Sequence, residues 1–176
     1  NQAGDDTVLE RMKRGYTADQ YRQLVHKIRN RIPGVSIATD IIVGFPGETE
    51  TQFKNTYNLL AELKLDNVHL ARYSARTGTV SERTMADDVS EDEKWERFRA
   101  IEKLQEGIYR DIHAAYLEKT VNVLFEEKMK MRWKGRTPNN KLVFAESEEN
   151  LAGQIRPVHI FWTGPWSMIG KLAANS

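Results

Sequence analysis

Apolar positions along the chain recur with two different periods, and the change from one to the other divides it. In the first two thirds they return every three or four residues in three stretches, each opened by a capping-box signature. Thr17 with Gln20 opens a helix carrying Tyr21, Leu24, Val25, Ile28 and Ile32, which should stop at Pro33 and Gly34. Thr49 with Gln52 opens a second, with Phe53, Tyr57, Leu60 and Leu63 on one face. Ser90 with Glu93 opens the longest, whose apolar stripe is Trp95, Phe98, Ile101, Leu104, Ile108 and Ile112. Between the helices lie short strand-like runs at residues 36–44 (SIATDIIVG) and 67–74 (NVHLARYS), and a strand end is expected just before Asp5. Alternation of helix and strand predicts α/β units around a parallel sheet. The run Ile41, Ile42, Val43 reads as a strand covered on both faces. So few strands make the sheet look like part of a larger one.

After about residue 117 the period becomes two. Residues 120–125 (TVNVLF) alternate, and so do residues 128–136 (KMKMRWKGR), with cations on one face and Met129, Met131 and Trp133 on the other. Turn residues at 137–140 precede a strand starting at Lys141, and residues 158–163 and 167–172 complete about five short strands. The expectation is a small five-stranded antiparallel β-barrel in the style of the OB fold over residues 118–176, after an α/β domain over residues 1–117.

Charge sharpens this division. The 176 residues carry a formal net charge of only +1, but residues 1–117 hold 17 basic against 19 acidic side chains, while residues 118–176 hold 9 against 6. Between Glu127 and Glu146 there are six cations (Lys128, Lys130, Arg132, Lys134, Arg136 and Lys141) and no acid, a stripe suited to RNA phosphates with Trp133 and Phe144 nearby for stacking. The plainer reading is a solvated face over an apolar one, and the two are compatible. No apolar run approaches the roughly 20 residues needed to cross a bilayer, so a cytoplasmic protein without membrane association is expected. Cysteine is absent, which excludes thiol nucleophiles and Cys-ligated clusters from this stretch. The four histidines are scattered without metal-ligand spacing, and neither a catalytic nor a metal-binding residue is assigned.

Three segments could carry chemistry. Residues 39–53 (TDIIVGFPGETETQF) place Asp40 inside an apolar strand, where a charge needs a partner, and a Gly44, Pro46, Gly47 turn at the carboxyl end, where α/β enzymes bind ligands. Glu48 then sits by a helix N-terminus, favourable for a carboxylate; a simple strand–turn–helix corner explains the same residues. In residues 73–79 (YSARTGT), Arg76 could hold a carboxylate or phosphate through its planar fork, or be merely solvated. Met12, Lys13, Arg14, Gly15 and Tyr16 read as a basic loop closing a short helix.

Taken together, QAGDDTVLERMKRGYT, TDIIVGFPGETE, YSARTGT, KGRTPNNKLVF and WTGPWSMIGKL resemble, in order and over essentially the whole chain, the methylthiotransferase family of radical SAM enzymes. The resemblance implies the C-terminal half of a TIM-like radical SAM barrel followed by a TRAM domain that binds RNA. It is strongest to the branch that modifies isopentenylated adenosine next to the tRNA anticodon, so a tRNA anticodon stem-loop is the implied partner. The family's cofactors are S-adenosylmethionine and 4Fe–4S clusters. By position, Gln2, Ala3, Gly4, Asp40, Ile42, Gly44 and Arg76 would line the S-adenosylmethionine site. Ala75, Thr77, Val80 and Ser81 depart from the family's usual loop. The cluster-ligating CxxxCxxC would lie upstream, so the chain reads as a fragment, inactive alone, of an enzyme expected to be a monomer at full length. A methylthiotransferase acting on a ribosomal protein and a non-catalytic RNA-binding module stay open as alternatives.

Overall fold

The computed structural model describes residues 2–76, 78 and 80–173; Thr77 and Thr79 of the YSARTGT segment lie outside the described residues. The chain forms two compact units, Asn1–Gln105 and Glu106–Ser176.

In the first unit the order is α1 (Asp6–Arg11), α2 (Ala18–Arg31), β1 (Ala38–Val43), α3 (Glu50–Leu63), β2 (Asn67–Arg72), α4 (Val80–Thr84) and the start of α5 (Glu91–Ala114). Both capping boxes at Thr17 and Thr49 are closed reciprocally. At α5, Ser90 Oγ accepts from the Glu93 N–H while the Glu93 carboxylate accepts from the Ser90 N–H. Strands β1 and β2 pair in parallel, from Ala38 opposite Asn67 to Val43 opposite Arg72. The strand end expected before Asp5 is not formed among the described residues; a single backbone bond, from the Ile42 N–H to the Gln2 carbonyl at 3.1 Å, joins that segment to β1.

One face of the sheet is buried, while on the other Ile42 is half-buried against the cluster of Val8, Leu9, Phe45 and Tyr73, so residues 41–43 are covered unequally on their two faces. Thr39, Ile41 and Val43 are buried, and the two apolar ones join Val25, Leu60, Leu63 and Ile101 in the core. The opposite face, with Ala38 and Asp40 opposite Asn67 and His69, is exposed. Asp40 therefore meets water rather than apolar side chains, and the cost expected of a buried carboxylate does not arise.

The second unit holds the end of α5 and a closed barrel of β3 (Thr120–Met129), β4 (Arg132–Arg136), β5 (Leu142–Glu146), β6 (Ile155–Thr163) and β7 (Met168–Leu172), in the order β3-β4-β5-β7-β6. Four of the five pairings are antiparallel and β5 with β7 is parallel. The antiparallel expectation is thus corrected, for a reason of parity. Strands that alternate in direction around a closed ring must be even in number, so five require one parallel seam. Phe125, Trp133, Val143, Val158, Ile160 and Met168 fill the interior. Gly135 faces inward where a Cβ would lie 2.6 Å from the Leu124 carbonyl oxygen, so strand coiling there depends on the missing side chain.

The predicted strand over residues 128–136 is instead a hairpin that turns at Lys130 and Met131. Trp133 is buried as expected, but Met129 and Met131 lie at the hairpin tip, 51% and 72% exposed. Phe125 fills the barrel centre with no exposed surface. Its replacement by Ala is expected to cost about 3–5 kcal/mol of barrel stability, read from urea unfolding.

Candidate functional site

The loop after β1 is held by a carboxylate that turns back on it. Glu48 is buried, and its Oε2 accepts from the Gly44 N–H at 2.8 Å and from Arg97 Nη1 at 2.9 Å. The same Arg97 nitrogen donates to the Glu48 carbonyl at 3.0 Å, and the Glu48 N–H donates to the Phe45 carbonyl at 2.8 Å. Glu48 thus serves its own loop rather than the terminus of α3. Burial pushes its carboxyl above the usual glutamate range, outweighing the Gly44 N–H and Arg97, which favour the ionised form.

Gly44 has φ +69, and a Cβ there would lie 2.3 Å from Cγ of Lys94. What approaches this glycine is the aliphatic stem of a lysine, not an open ligand face. Lys94 is 1% exposed; its ammonium donates to Asp87 and Glu91 at 2.8 and 2.9 Å and lies 5.6 Å from the Tyr73 ring centre. Burial draws this ammonium's pKa down, but the bonds to Asp87 and Glu91 win and hold it above the ordinary lysine value. Gly47 is crowded in the same way by Arg11, whose guanidinium donates to the Pro46 carbonyl at 2.9 Å and to Gln52 at 2.8 Å.

These contacts correct the start of the apolar stripe read for α5, whose Ile101 and Ile108 are buried and whose Phe98 and Leu104 pack against the core. Its inward face begins with Lys94 and Arg97 and continues with Ile101, while Trp95 lies outside, with the Arg72 guanidinium 3.8 Å from its ring centre. The signal was present: residues 94, 97, 101, 105 and 108 keep helical spacing, but two cations and a glutamine in that series do not register as apolar.

At the carboxyl ends of β1 and β2 a cavity of about 500 Å³ opens. Its apolar wall is Ile42, Phe45, Tyr73 and Met85, with Phe45 and Tyr73 meeting edge to face at 5.2 Å. Five cationic side chains (Arg11, Lys13, Arg14, Arg72 and Arg76) also line it, as do Gln2 and Ser74, and among the described residues no carboxylate does. Arg14 Nε donates to the Gln2 amide oxygen at 3.0 Å. Of the residues assigned from the resemblance, Gln2, Ile42 and Arg76 line this cavity; Ala3, Gly4, Asp40 and Gly44 do not. Gly4 instead packs on α3, its N–H donating to Thr56 Oγ1 at 2.8 Å. Arg11, Lys13, Arg14 and Arg72 are lining residues that the sequence reading did not single out as ligands.

On the barrel, the acid-free stripe meets acids from neighbouring strands. Glu127 stands opposite Lys134 at 2.7 Å, Glu146 opposite Arg132 at 3.2 Å, and Glu126 reaches Arg136 at 3.4 Å. A bulge between Phe125 and Glu127 inserts Glu126 as an extra outward residue. Lys128 and Lys130 are exposed at the hairpin end, and Lys141 is buried. Among the described residues no cluster of three His, Cys, Asp or Glu is arranged to hold a metal ion.

Comparison with known proteins identifies similar sequences. Residues 2–60 match the profile of the Radical SAM superfamily. The chain is 47% identical over 97% of its length to the tRNA-2-methylthio-N(6)-dimethylallyladenosine synthase of Dehalococcoides mccartyi (strain CBDB1), covering 41% of that protein. It is 47% identical over 99% of its length to the synthase of the same name from Roseiflexus sp. (strain RS-1), and 48% identical over 96% to that of Chloroflexus aurantiacus, covering 37% of each. The chain thus spans about two fifths of the length of the curated relatives it matches.

Two outcomes are expected of the buried loop clamp. Arg97→Ala strands the Glu48 carboxylate and should destabilise the first unit by about 3–5 kcal/mol in denaturant unfolding. Because the native pKa of Glu48 is raised, its contribution is fully present below the unfolded value and is lost as pH rises through the native one. The unfolding free energy of the wild type should therefore rise, relative to that of Glu48→Gln, as pH is lowered from about 7 toward 4.5.

Proposed function

We propose, for a chain that belongs to the radical SAM methylthiotransferase family, that it is part of a tRNA-modifying enzyme which adds a methylthio group to isopentenylated adenosine beside the anticodon. In this reading residues 1–117 are part of a TIM-like radical SAM barrel and residues 118–176 a TRAM-type domain for the anticodon stem-loop, in a cytoplasmic enzyme that is monomeric at full length. The observation that carries it is the cavity at the carboxyl ends of β1 and β2, where parallel α/β enzymes hold their ligands, in a chain alike over nearly its whole length to synthases of that name. No described helix is long and apolar enough to cross a membrane.

The cavity's residues fit part of S-adenosylmethionine well. Ile42, Phe45 and Tyr73 offer an apolar wall for the adenosyl group, Gln2 and Ser74 offer polar atoms for a ribose, and a cation such as Arg76 suits the carboxylate. When bound, S-adenosylmethionine supplies the hydrogen-abstracting chemistry and the methyl group. The chain's own residues orient it: Glu48 and Arg97 fix the loop carrying Phe45, and Lys94 steadies Tyr73 from behind. The iron–sulfur clusters do not fit this chain, which has no cysteine to ligate them, so no step runs through them.

A ribosomal-protein substrate is the second reading, favoured by the carboxylates that partly neutralise the basic stripe. Titrating a labelled anticodon stem-loop across a salt series separates the two. With an RNA substrate, affinity falls steeply with salt, and Arg132→Glu or Arg136→Glu weakens it by about threefold or more. Salt-independent binding, or none, favours the protein substrate. Incubated with iron, sulfide, reductant and S-adenosylmethionine, the 176-residue chain should form no 5′-deoxyadenosine above a protein-free control; clear turnover would overturn its reading as an incomplete enzyme.

A further inference from the structure

Strand register gathers aromatic side chains of the barrel into a row on its outer surface. Directly paired residues on neighbouring strands point to the same side of a sheet, so a row can be followed around the ring. Lys134 on β4 pairs with Phe144 on β5, Phe144 with Ile169 on β7, and Ile169 with Trp162 on β6. The chain neighbours Trp133, Val143, Ala145 and Met168 fill the interior, so this row lies outside. Lys134, Phe144 and Ile169 are half-buried, and Trp162 is 47% exposed. Of the two aromatic residues expected from the sequence to stack on bases, Trp133 is therefore withdrawn into the core and Phe144 is presented.

A bulge adds a further ring to the row. Between Ile160 and Trp162 the pairing of β6 with β7 skips one residue, so Phe161 is extra and both adjacent aromatic side chains stand exposed. Strict alternation would turn one of the two into the interior. The Trp162 ring rests on Gly164, where a Cβ would collide with it. That turn is held from two sides: the Gly164 N–H donates to the Ser167 carbonyl at 2.9 Å, and the Gly164 carbonyl accepts from the buried His113 ring at 2.6 Å. Trp166, farther along the turn, meets Tyr109 of α5 edge to face at 5.5 Å and stands outside the row. Cations mark both ends of the row. Lys134, bonded to Glu127 at 2.7 Å, closes one, and the Lys171 ammonium lies 5.7 Å from the Phe161 ring centre at the other. Residues 151–176 contain no acidic side chain.

We propose that Phe144, Phe161 and Trp162 form a platform on which unpaired bases of the RNA substrate stack. Flat, partly exposed rings flanked by cations suit a single strand, whose bases lie on the rings while its backbone passes the charges. Protein–protein interfaces are by contrast depleted in lysine. The inference rests on the RNA-substrate reading above and deepens it. The basic stripe attracts any RNA backbone, whereas the platform selects the loop over the stem, because only bases released from pairing offer an open ring face.

The test uses the whole 176-residue chain, an anticodon stem-loop and a fully paired RNA duplex of the same length. Phe161→Ala and Trp162→Ala should each weaken stem-loop binding by about fivefold or more, while duplex binding holds within about twofold. The salt slope should stay unchanged in both, since no phosphate contact is lost, whereas Arg132→Glu lowers it. Trp162→Leu keeps apolar bulk without a ring: it should melt at the wild-type temperature yet bind the stem-loop as weakly as Trp162→Ala. Trp162→Phe keeps a ring and should bind within about threefold of wild type. Stem-loop binding should also quench the tryptophan fluorescence of the wild type, and Trp162→Phe should lose much of that quenching. Unchanged stem-loop affinity in the Phe161→Ala, Trp162→Ala double variant overturns the proposal, as does equal weakening toward stem-loop and duplex, or wild-type binding by Trp162→Leu. If the wild type self-associates in sedimentation and the double variant does not, with RNA affinity the same, the row is a face for a second copy and the proposal is again overturned. RNA binding that fails only with Arg132→Glu and Arg136→Glu removes this inference and spares the wider reading; a wild-type chain that binds no RNA removes both.

Discussion

The buried pair of Glu48 and Arg97 is the constraint on which the first unit's site depends. A carboxylate with 1% of its side chain exposed is tolerable only with strong partners, and here these are a backbone N–H four residues earlier and a guanidinium from a helix 49 residues later. That arrangement ties the end of β1 to α5 and so determines where Phe45 stands. Lys94 repeats the logic one turn away, with its stem against Gly44 and its charge against Asp87 and Glu91. The cavity wall is therefore set by buried ion pairs behind it more than by contacts within it.

This explains what could be read along the sequence and what could not. Capping boxes are local, and all three are found at helix starts. Strand positions in the α/β unit follow from β-branched runs, and the alternation of burial along β1 follows from which face has helices, a tertiary fact that three adjacent apolar residues do not encode. The apolar stripe of α5 fails only at its start, where periodicity counts Trp95 and passes over Lys94 although the cation is the buried one; Ile101 and Ile108 further along are buried as the stripe requires. Of the cavity residues, Gln2, Ile42 and Arg76 are legible through the resemblance, whereas Arg11 from α1 and Arg72 at the end of β2 converge on it only through the fold.

The barrel teaches the same lesson about charge. A run of six cations without an acid is a linear fact, while strand pairing is what places Glu127 beside Lys134 and Glu146 beside Arg132. The bulge at Glu126 is invisible to period-two reasoning, yet it supplies the acid for Arg136. Exposed pairs of this kind contribute little to stability, so they cost little to exchange for an external anion. The strand count, by contrast, already contained the parallel seam, since five strands cannot alternate around a ring.

That seam also fixes how the barrel is put together. Strands β3, β4 and β5 form a meander closed by short turns, and β6 with β7 forms a hairpin, so each piece can order locally. Closing the ring then requires the hairpin to dock on both outer edges of the meander at once, β6 on β3 and β7 on β5. Those two pairings join residues far apart in sequence and carry the largest loop-closure entropy, which places them last in assembly. Until they form, each piece shows two open strand edges, and a hairpin from a second chain satisfies them as well as the chain's own. At high concentration the five-stranded ring is thereby a natural site for two molecules to exchange hairpins.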